Sequence, residues 1–307
     1  MPQLIRIISR SSPLALWQTN YIKDLLNKLY SHLKIEIIGI TTTGDSILDR
    51  SLDKIGGKGL FTKELEVALL NGSADLAVHS AKDLPAVLPT EFMLSGFLVR
   101  EDARDVFVAK LYSSLDDLPN GAVIGTSSSR RAMLLHRYYP HCQIKLLRGN
   151  IHTRLKKLND GEYDGIVLAA AGLNRLGLSQ LIKQYLNKAQ FIPSIGQGAL
   201  AIELLKNNTE LYNLVDILKD ADTDIAIKTE REVGRILQAG CSVPIAAHAW
   251  FEHGLLHLKS CIYDKHKGIS CEFYGSSVRE EYLNLATNCA NELLAQGANI
   301  ILEKYKG

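Results

Sequence analysis

Short apolar runs and longer helical rhythms alternate along most of this chain. LIRIISR (residues 4–10) and KIEIIGITT (34–42) read as strands, and PLALWQTNYIKDLLNKLY (13–30) between them repeats apolar positions every three or four residues. Pro13 falls in the first helical turn, where the missing N–H has no helical partner to lose. GLFTKELEVALLNG (59–72) continues the helical rhythm, and ADLAVHS (74–80) and EFMLSGFLVR (91–100) return to strand. A second series follows the same plan, with strands DVFVA (105–109), AVIGTSS (122–128), QIKLLR (143–148) and YDGIVLAA (163–170) and helices SRRAMLLHRYY (129–139) and NIHTRLKKLND (150–160). This alternation predicts two α/β units, the second built on a mostly parallel sheet.

The pattern changes after FIPSIGQGALAIELL (191–205). TDIAIKTEREVGRILQ (223–238) predicts a helix, IAAHAWFEHGLLHLKSCIYD (245–264) and CEFYGSS (271–277) an antiparallel meander, and EYLNLATNCANELLAQG (281–297) a closing helix. The tail therefore reads as a smaller α+β domain. Weak composition breaks near 100–104, 193–199 and 220 mark the expected borders, and 307 residues suit two or three compact units.

Composition narrows the picture. With 46% apolar and 22% charged residues the chain is an ordinary globular one, and 35 basic against 33 acidic residues leave only +2, so no global charge points to nucleic acid. Apolar runs such as GIVLAAAGL are too short for a bilayer span, and MPQLIRIISR has no charged region followed by a long apolar stretch; a cytoplasmic, membrane-free protein is expected. The five cysteines, 142, 241, 261, 271 and 289, form an odd set without a CxxC pair, which fits a reducing compartment. Four lie in apolar strand or helix patterns and read as core thiols. Cys241 differs: in LQAGCSVPIAAHA (237–249) it sits on a Gly-Cys turn between a helix and a strand, where its sulfur can be presented outward. His253, His257, Cys261, His266 and Cys271 lack a tight ligand pair, so no metal is expected.

Four basic stretches occur at strand ends or helix starts: ISRSSPLAL with Arg10, IGGKGLFTKE with Lys58, GTSSSRRAML with Arg130 and Arg131, and LLRGNIHTRLKK with Arg148 and Arg154. In α/β sheets ligands collect at the carboxyl ends of strands, where helix N-termini attract anions and arginine grips carboxylates bidentately. Serine capping followed by solvated arginines would give the same local pattern, and IGGKGLF lacks the Lys-Ser/Thr ending of a phosphate loop. Recurrence in both units favours a polyanion cleft. DLAVHSAKDLP (75–85) ends a buried strand with Lys82 and Asp83, a candidate acid or base beside a cation, or else a turn in which Asp83 caps.

Taken together, RSSPLALWQ, TTGD, GGKGLFTKELE, ADLAVHSAKDLP, REDARDVFV, GTSSSRRAML, LRGNIHTRLKKL, AAAGLNRLG, IGQGALAIE and GCSVP resemble the porphobilinogen deaminase (hydroxymethylbilane synthase) family over nearly the whole chain. The resemblance implies two periplasmic-binding-protein-like α/β domains, 1–99 with 199–218 and 100–198, and a C-terminal α+β domain, 219–307. It implies a covalent dipyrromethane primer on Cys241, and a transferase that deaminates four porphobilinogen molecules, joins them head-to-tail onto that primer and releases hydroxymethylbilane. Asp83 would be the catalytic acid and stabilise the azafulvene cation, with Lys82 beside it. Lys82, Asp83, Thr126, Ser128, Arg130, Arg131, Arg148, Gly149 and Ala170 would hold the primer. Arg10, Ser12, Lys54, Phe61, Arg148, Arg154 and Arg175 would hold substrate, and Lys58 and Phe61 would belong to a lid.

The resemblance further implies a monomer whose product passes to uroporphyrinogen III synthase. Ala81, Ala239 and Ala246 depart from the usual residues without touching a charged or nucleophilic group. The rivals are a two-lobed solute binder, which would have no use for Cys241 and Asp83 together, and a family member without catalysis, which would not need the full charged set.

Overall fold

The computed structural model describes residues 2–46, 59–240, 243–264 and 267–305; Lys54, Lys58, Cys241 and His266 lie outside the described residues. The first series forms β1 (Leu4–Arg10), α1 (Pro13–Leu29), β2 (Lys34–Ile40), α2 (Thr43–Ser46), α3 (Lys63–Leu70), β3 (Leu76–Ser80), a 3₁₀ turn over Ala81–Asp83, and β4 (Phe92–Phe97). The second forms β5 (Asp105–Ala109), β6 (Val123–Gly125), α4 (Ser129–Tyr138), β7 (Gln143–Lys145), α5 (Ile151–Asn159), β8 (Gly165–Ala169), α6 (Ala170–Arg175) and β9 (Gln184–Tyr185). There follow β10 (Leu200–Leu205), α7 (Thr209–Asp216), α8 (Ala221–Ile236), β11 (Ile245–Glu252), β12 (Leu255–Asp264), β13 (Ile269–Ser277), α9 (Tyr282–Ala295) and α10 (Ala298–Leu302).

The two larger sheets share one plan, β2-β1-β3-β10-β4 and β7-β6-β8-β5-β9. In each, three strands pair in parallel, the fourth runs antiparallel to both its neighbours, and the fifth resumes the common direction. The reversed strand is the one the chain exchanges between lobes: β5 follows β4 but joins the second sheet, and β10 follows β9 but joins the first. The second sheet is thus mostly parallel in direction, as its alternation predicts, with β5 as the exception. Its residues are buried throughout, as are those of β10 up to Leu204, so neither apolar run encodes a direction.

The third sheet is the expected meander, β11-β12-β13, covered by α8 and α9. This unit touches both lobes. Ala246 and Cys261 enter the core of the second lobe, whereas the Asp224 carboxylate accepts from the Phe97 N–H at 3.3 Å and Arg231 donates to the Pro85 carbonyl at 2.8 Å, both in the first lobe.

The two crossover segments meet at one buried ion pair. Arg100 donates to Glu230 at 2.6 Å and to the Gln197 carbonyl at 2.8 Å, while Glu230 accepts from the backbone N–H of Gly196 at 2.7 Å and of Ala249 at 2.8 Å. The close approach explains two glycines of IGQGA. Gly196 (φ +72°) would place a Cβ 2.8 Å from the Ala81 carbonyl carbon, and Gly198 (φ +89°) would place one 2.3 Å from the Glu101 oxygen. The Ala81–Lys82 backbone, next to Asp83, is thereby packed against the second crossover segment.

Candidate active site

Strand ends of both lobes converge on a cavity of about 550 Å³. β1 delivers Arg10, and the loop after it delivers Ser12, whose Oγ accepts from the Ala15 N–H at 3.4 Å as the cap of α1. β3 runs into Lys82 and Asp83, and the Gln18 amide donates to Ser80 at 2.8 Å, tying α1 to the end of that strand. β6 leads to Ser128, whose Oγ caps α4 by accepting from Arg131 N–H at 3.4 Å. Capping and cavity lining therefore coincide: Ser12 and Ser128 do both.

Arg10, Lys82, Arg130, Arg131, Arg148, Arg154, Arg175 and Arg231 all line this space, against two carboxylates among the described residues, Asp45 and Asp83. Ser12, Phe61, Ser128 and Gly149 line it too. Thr126 and Ala170 do not: Thr126 is buried behind the wall, where its Oγ1 accepts from Ser128 N–H at 3.1 Å, and the Ala170 N–H is donated to the Arg104 carbonyl at 3.0 Å. Lys54 and Cys241 lie outside the described residues; Gly240 and Val243 line the cavity.

The cations are held in different ways. Arg130 and Arg131 share Asp105, which is fully buried. Arg130 donates to both its oxygens, at 2.7 and 3.0 Å, and Arg131 Nε donates at 3.0 Å. Gln197 adds a fourth donor at 2.9 Å. Two guanidiniums on one carboxylate leave a net positive charge facing the cavity, and the Arg130 Nε is a buried donor without a partner. Arg154 donates to the Gly149 carbonyl and Arg175 to that of Gly198, each at 2.7 Å; burial brings both guanidiniums down to about 10, helped at Arg154 by the charges of Arg131 and Arg148. Burial, with Arg131 close by, lowers the Lys82 ammonium to about 8. Asp83 lies 3.9 Å from Arg10, whose guanidinium rests over the Phe61 ring, 4.3 Å from its centroid.

The sequence reading missed Asp45, Asp105, Gln197 and Arg231. Asp45 and Asp105 stand in quoted motifs, TTGD and REDARDVFV, yet their partners are 35 and 25 residues away. Arg231 sits in the amphipathic helix α8 among acidic neighbours, where a solvated arginine is the ordinary reading.

The four described cysteines are all buried, and burial pushes their thiols up, to about 12 at Cys261 and Cys289. Among the described residues no group of three His, Cys, Asp or Glu could hold a metal ion.

Two α/β lobes that exchange a strand, a cation-rich cleft between them and a third unit touching both define a two-lobed protein whose cleft has the charge to suit a polyanion. Comparison with known proteins places it further. The family model "Porphobilinogen deaminase, dipyromethane cofactor binding domain" matches residues 5–213, and "Porphobilinogen deaminase, C-terminal domain" matches 225–295. The porphobilinogen deaminase of Thiobacillus denitrificans is 48% identical over 301 residues, 97% of this chain and 98% of that one. That of Laribacter hongkongensis is 45% identical over 307 residues, 100% and 99% of the two chains. The chain belongs to the porphobilinogen deaminase family. Among solved structures, the periplasmic VFT2 domain of Bordetella pertussis BvgS is similar with a TM-score of 0.43 and 21% identity, over 70% of this chain and 86% of that one.

Proposed function

We propose a division of labour among the cleft residues for the family's reaction, in which porphobilinogen is deaminated and polymerised on a dipyrromethane cofactor into hydroxymethylbilane. The cavity's donor set suits that cofactor: a polycarboxylate needs clustered cations, and the eight that line the space, with the unpartnered Arg130 Nε, supply them. Bound through a thioether to Cys241, the group would supply a nucleophilic pyrrole carbon that lengthens the chain while remaining attached. Arg130, Arg131, Arg148 and Lys82 would hold its carboxylates, with Ser128 and the Gly149 backbone as neutral contacts and Thr126 and Ala170 supporting the wall behind.

Porphobilinogen carries two carboxylates and an aminomethyl arm. Arg10, Arg154 and Arg175 bind and orient the carboxylates, Lys54 and Ser12 assist, and Phe61 covers one side of the ring. Asp83 gives a proton to the departing nitrogen, so that ammonia leaves, and its carboxylate then faces the cation left on the substrate. Lys82, charged below about pH 8, biases the local field and meets a carboxylate of the growing chain. Each cycle adds two negative charges, which is why so many cations surround one carboxylate acid.

The observation that carries this reading is Asp83 at the wall of a cavity where, among the described residues, cations outnumber carboxylates four to one. Single-turnover ammonia release by folded, cofactor-loaded Asp83→Asn tests it: the rate should fall about 10²–10⁴-fold, and release at the parent rate would move the acid elsewhere. Domain borders at 1–99 with 199–218, 100–198 and 219–307 follow the same reading, as do a monomeric state, a cytoplasmic setting and delivery of the linear product to uroporphyrinogen III synthase. No helix among the described residues is long and apolar enough to cross a membrane.

A further inference from the structure

Arg10 comes within 3.9 Å of Asp83, yet its side-on edge, Nε with Nη2, is already taken. Nε donates to Asp45 Oδ2 at 3.1 Å and Nη2 donates to Asp45 Oδ1, while the remaining nitrogen, Nη1, is 3.9 Å from Asp83. Asp45 is itself held, because Thr42 donates to the same Oδ2 through its hydroxyl at 2.8 Å and its N–H at 3.3 Å. Both partners line the cavity and keep contact with solvent, the Arg10 side chain 24% and the Asp45 side chain 21% exposed. The other two-point edge, Nη1 with the second Nη2 hydrogen, has Asp83 beside it, so a carboxylate arriving from the cavity binds Arg10 in two-point fashion clear of Asp83 only by taking the place of Asp45.

We propose that Asp45 is an internal competitor for Arg10, displaced when a substrate carboxylate binds, and so a specificity-determining residue for the reaction proposed above. The exchange swaps one ion pair for another, so the half-buried guanidinium is not left unpaired, an omission that would be costly. It also keeps the Arg10 fork off Asp83 while the site waits, which leaves that carboxylate available for proton transfer. A pyrrole without a well-placed carboxylate cannot win against a tethered one, whereas a dicarboxylate anchored elsewhere in the cleft can; rejection is built in through the resident competitor. Burial disfavours the Asp45 charge, but hydrogen bonds from Arg10 and Thr42 outweigh it and hold the carboxyl below its usual range, so the competitor is ionised at neutral pH.

The inference rests on the reading of Arg10 as a substrate ligand, and its test separates the two. Asp45→Asn keeps size and removes charge, and it should lower the KM for porphobilinogen three- to tenfold. Arg10→Gln should raise KM, and adding Asp45→Asn to it should change KM by less than twofold. A raised or unchanged KM in Asp45→Asn, or an equal gain in the Arg10→Gln background, would overturn the exchange. Calorimetry with succinate, a dicarboxylate that cannot be turned over, decides the same point without chemistry: Asp45→Asn should bind it several-fold tighter, and unchanged or weaker binding would contradict the proposal. A parent protein that ignores porphobilinogen would instead overturn the substrate reading, leaving the succinate comparison to decide the exchange.

Discussion

Arg130 grips Asp105 through two parallel hydrogen bonds, Nη1 to Oδ2 at 2.7 Å and Nη2 to Oδ1 at 3.0 Å, and Arg131 binds the same carboxylate from α4. Asp105 is the first residue of β5, the strand that the chain lends to the second lobe, so one buried carboxylate both fixes the crossover and orients two cleft cations.

Removing that carboxylate leaves two buried guanidiniums facing each other. Asp105→Ala should cost about 3–5 kcal/mol in unfolding free energy, measured by urea titration at neutral pH. Burial opposes the Asp105 charge, but Arg130 and Arg131 outweigh it and hold the carboxyl below the usual carboxylate range. Its stabilisation is therefore complete above an unfolded pKa of about 4 and is lost as pH falls below it. The parent should lose stability in that acid window more steeply than Asp105→Ala; parallel curves would show that Asp105 is not the titrating group.

Lys82 gives a prediction on the alkaline side. Burial, with Arg131 as the next contributor, brings its ammonium to about 8, so the protein without its cofactor loses this cation as pH passes 8. Binding a carboxylate favours the charged form, hence the cofactor-free Cys241→Ser protein should bind succinate more weakly above pH 8, with uptake of a proton on binding. Adding Lys82→Arg, charged throughout this range, should flatten that loss. An unchanged alkaline profile in Lys82→Arg would assign the titration to another group.

Gly196 offers a geometric test. With φ at +72° and a Cβ position 2.8 Å from the Ala81 carbonyl carbon and 2.9 Å from the Lys82 nitrogen, any side chain must push the Lys82–Asp83 turn away. Gly196→Ala should cost about 1–3 kcal/mol of stability and lower kcat by about tenfold or more through displacement of Asp83. Normal kcat in a folded Gly196→Ala would mean that the crossover does not set the position of the turn.

Much of this was legible because local rhythm carries local structure. The helices of PLALWQTNYIKDLLNKLY and TDIAIKTEREVGRILQ, the final meander and the basic strand ends follow from spacing alone. Strand direction was not, since DVFVA and LAIELL are apolar apart from Asp105 and Glu203, with no alternation, and their partners lie far along the chain. The arginines of GTSSSRRAML announced a charged site, but that Asp105 holds them is a contact across 25 residues that no local pattern records. Arg231 escaped notice for a related reason: its donation to Pro85 spans 146 residues.

The central claim, that this cation-rich cleft serves a covalent dipyrromethane on Cys241, is tested most directly by intact mass followed by peptide mapping of the purified, catalytically active protein. The account predicts an excess of two linked pyrrole units on the peptide that contains Cys241, retained after thiol reduction because a thioether resists it, and absent from Cys241→Ser together with activity. A fully active protein with its unmodified sequence mass would contradict it.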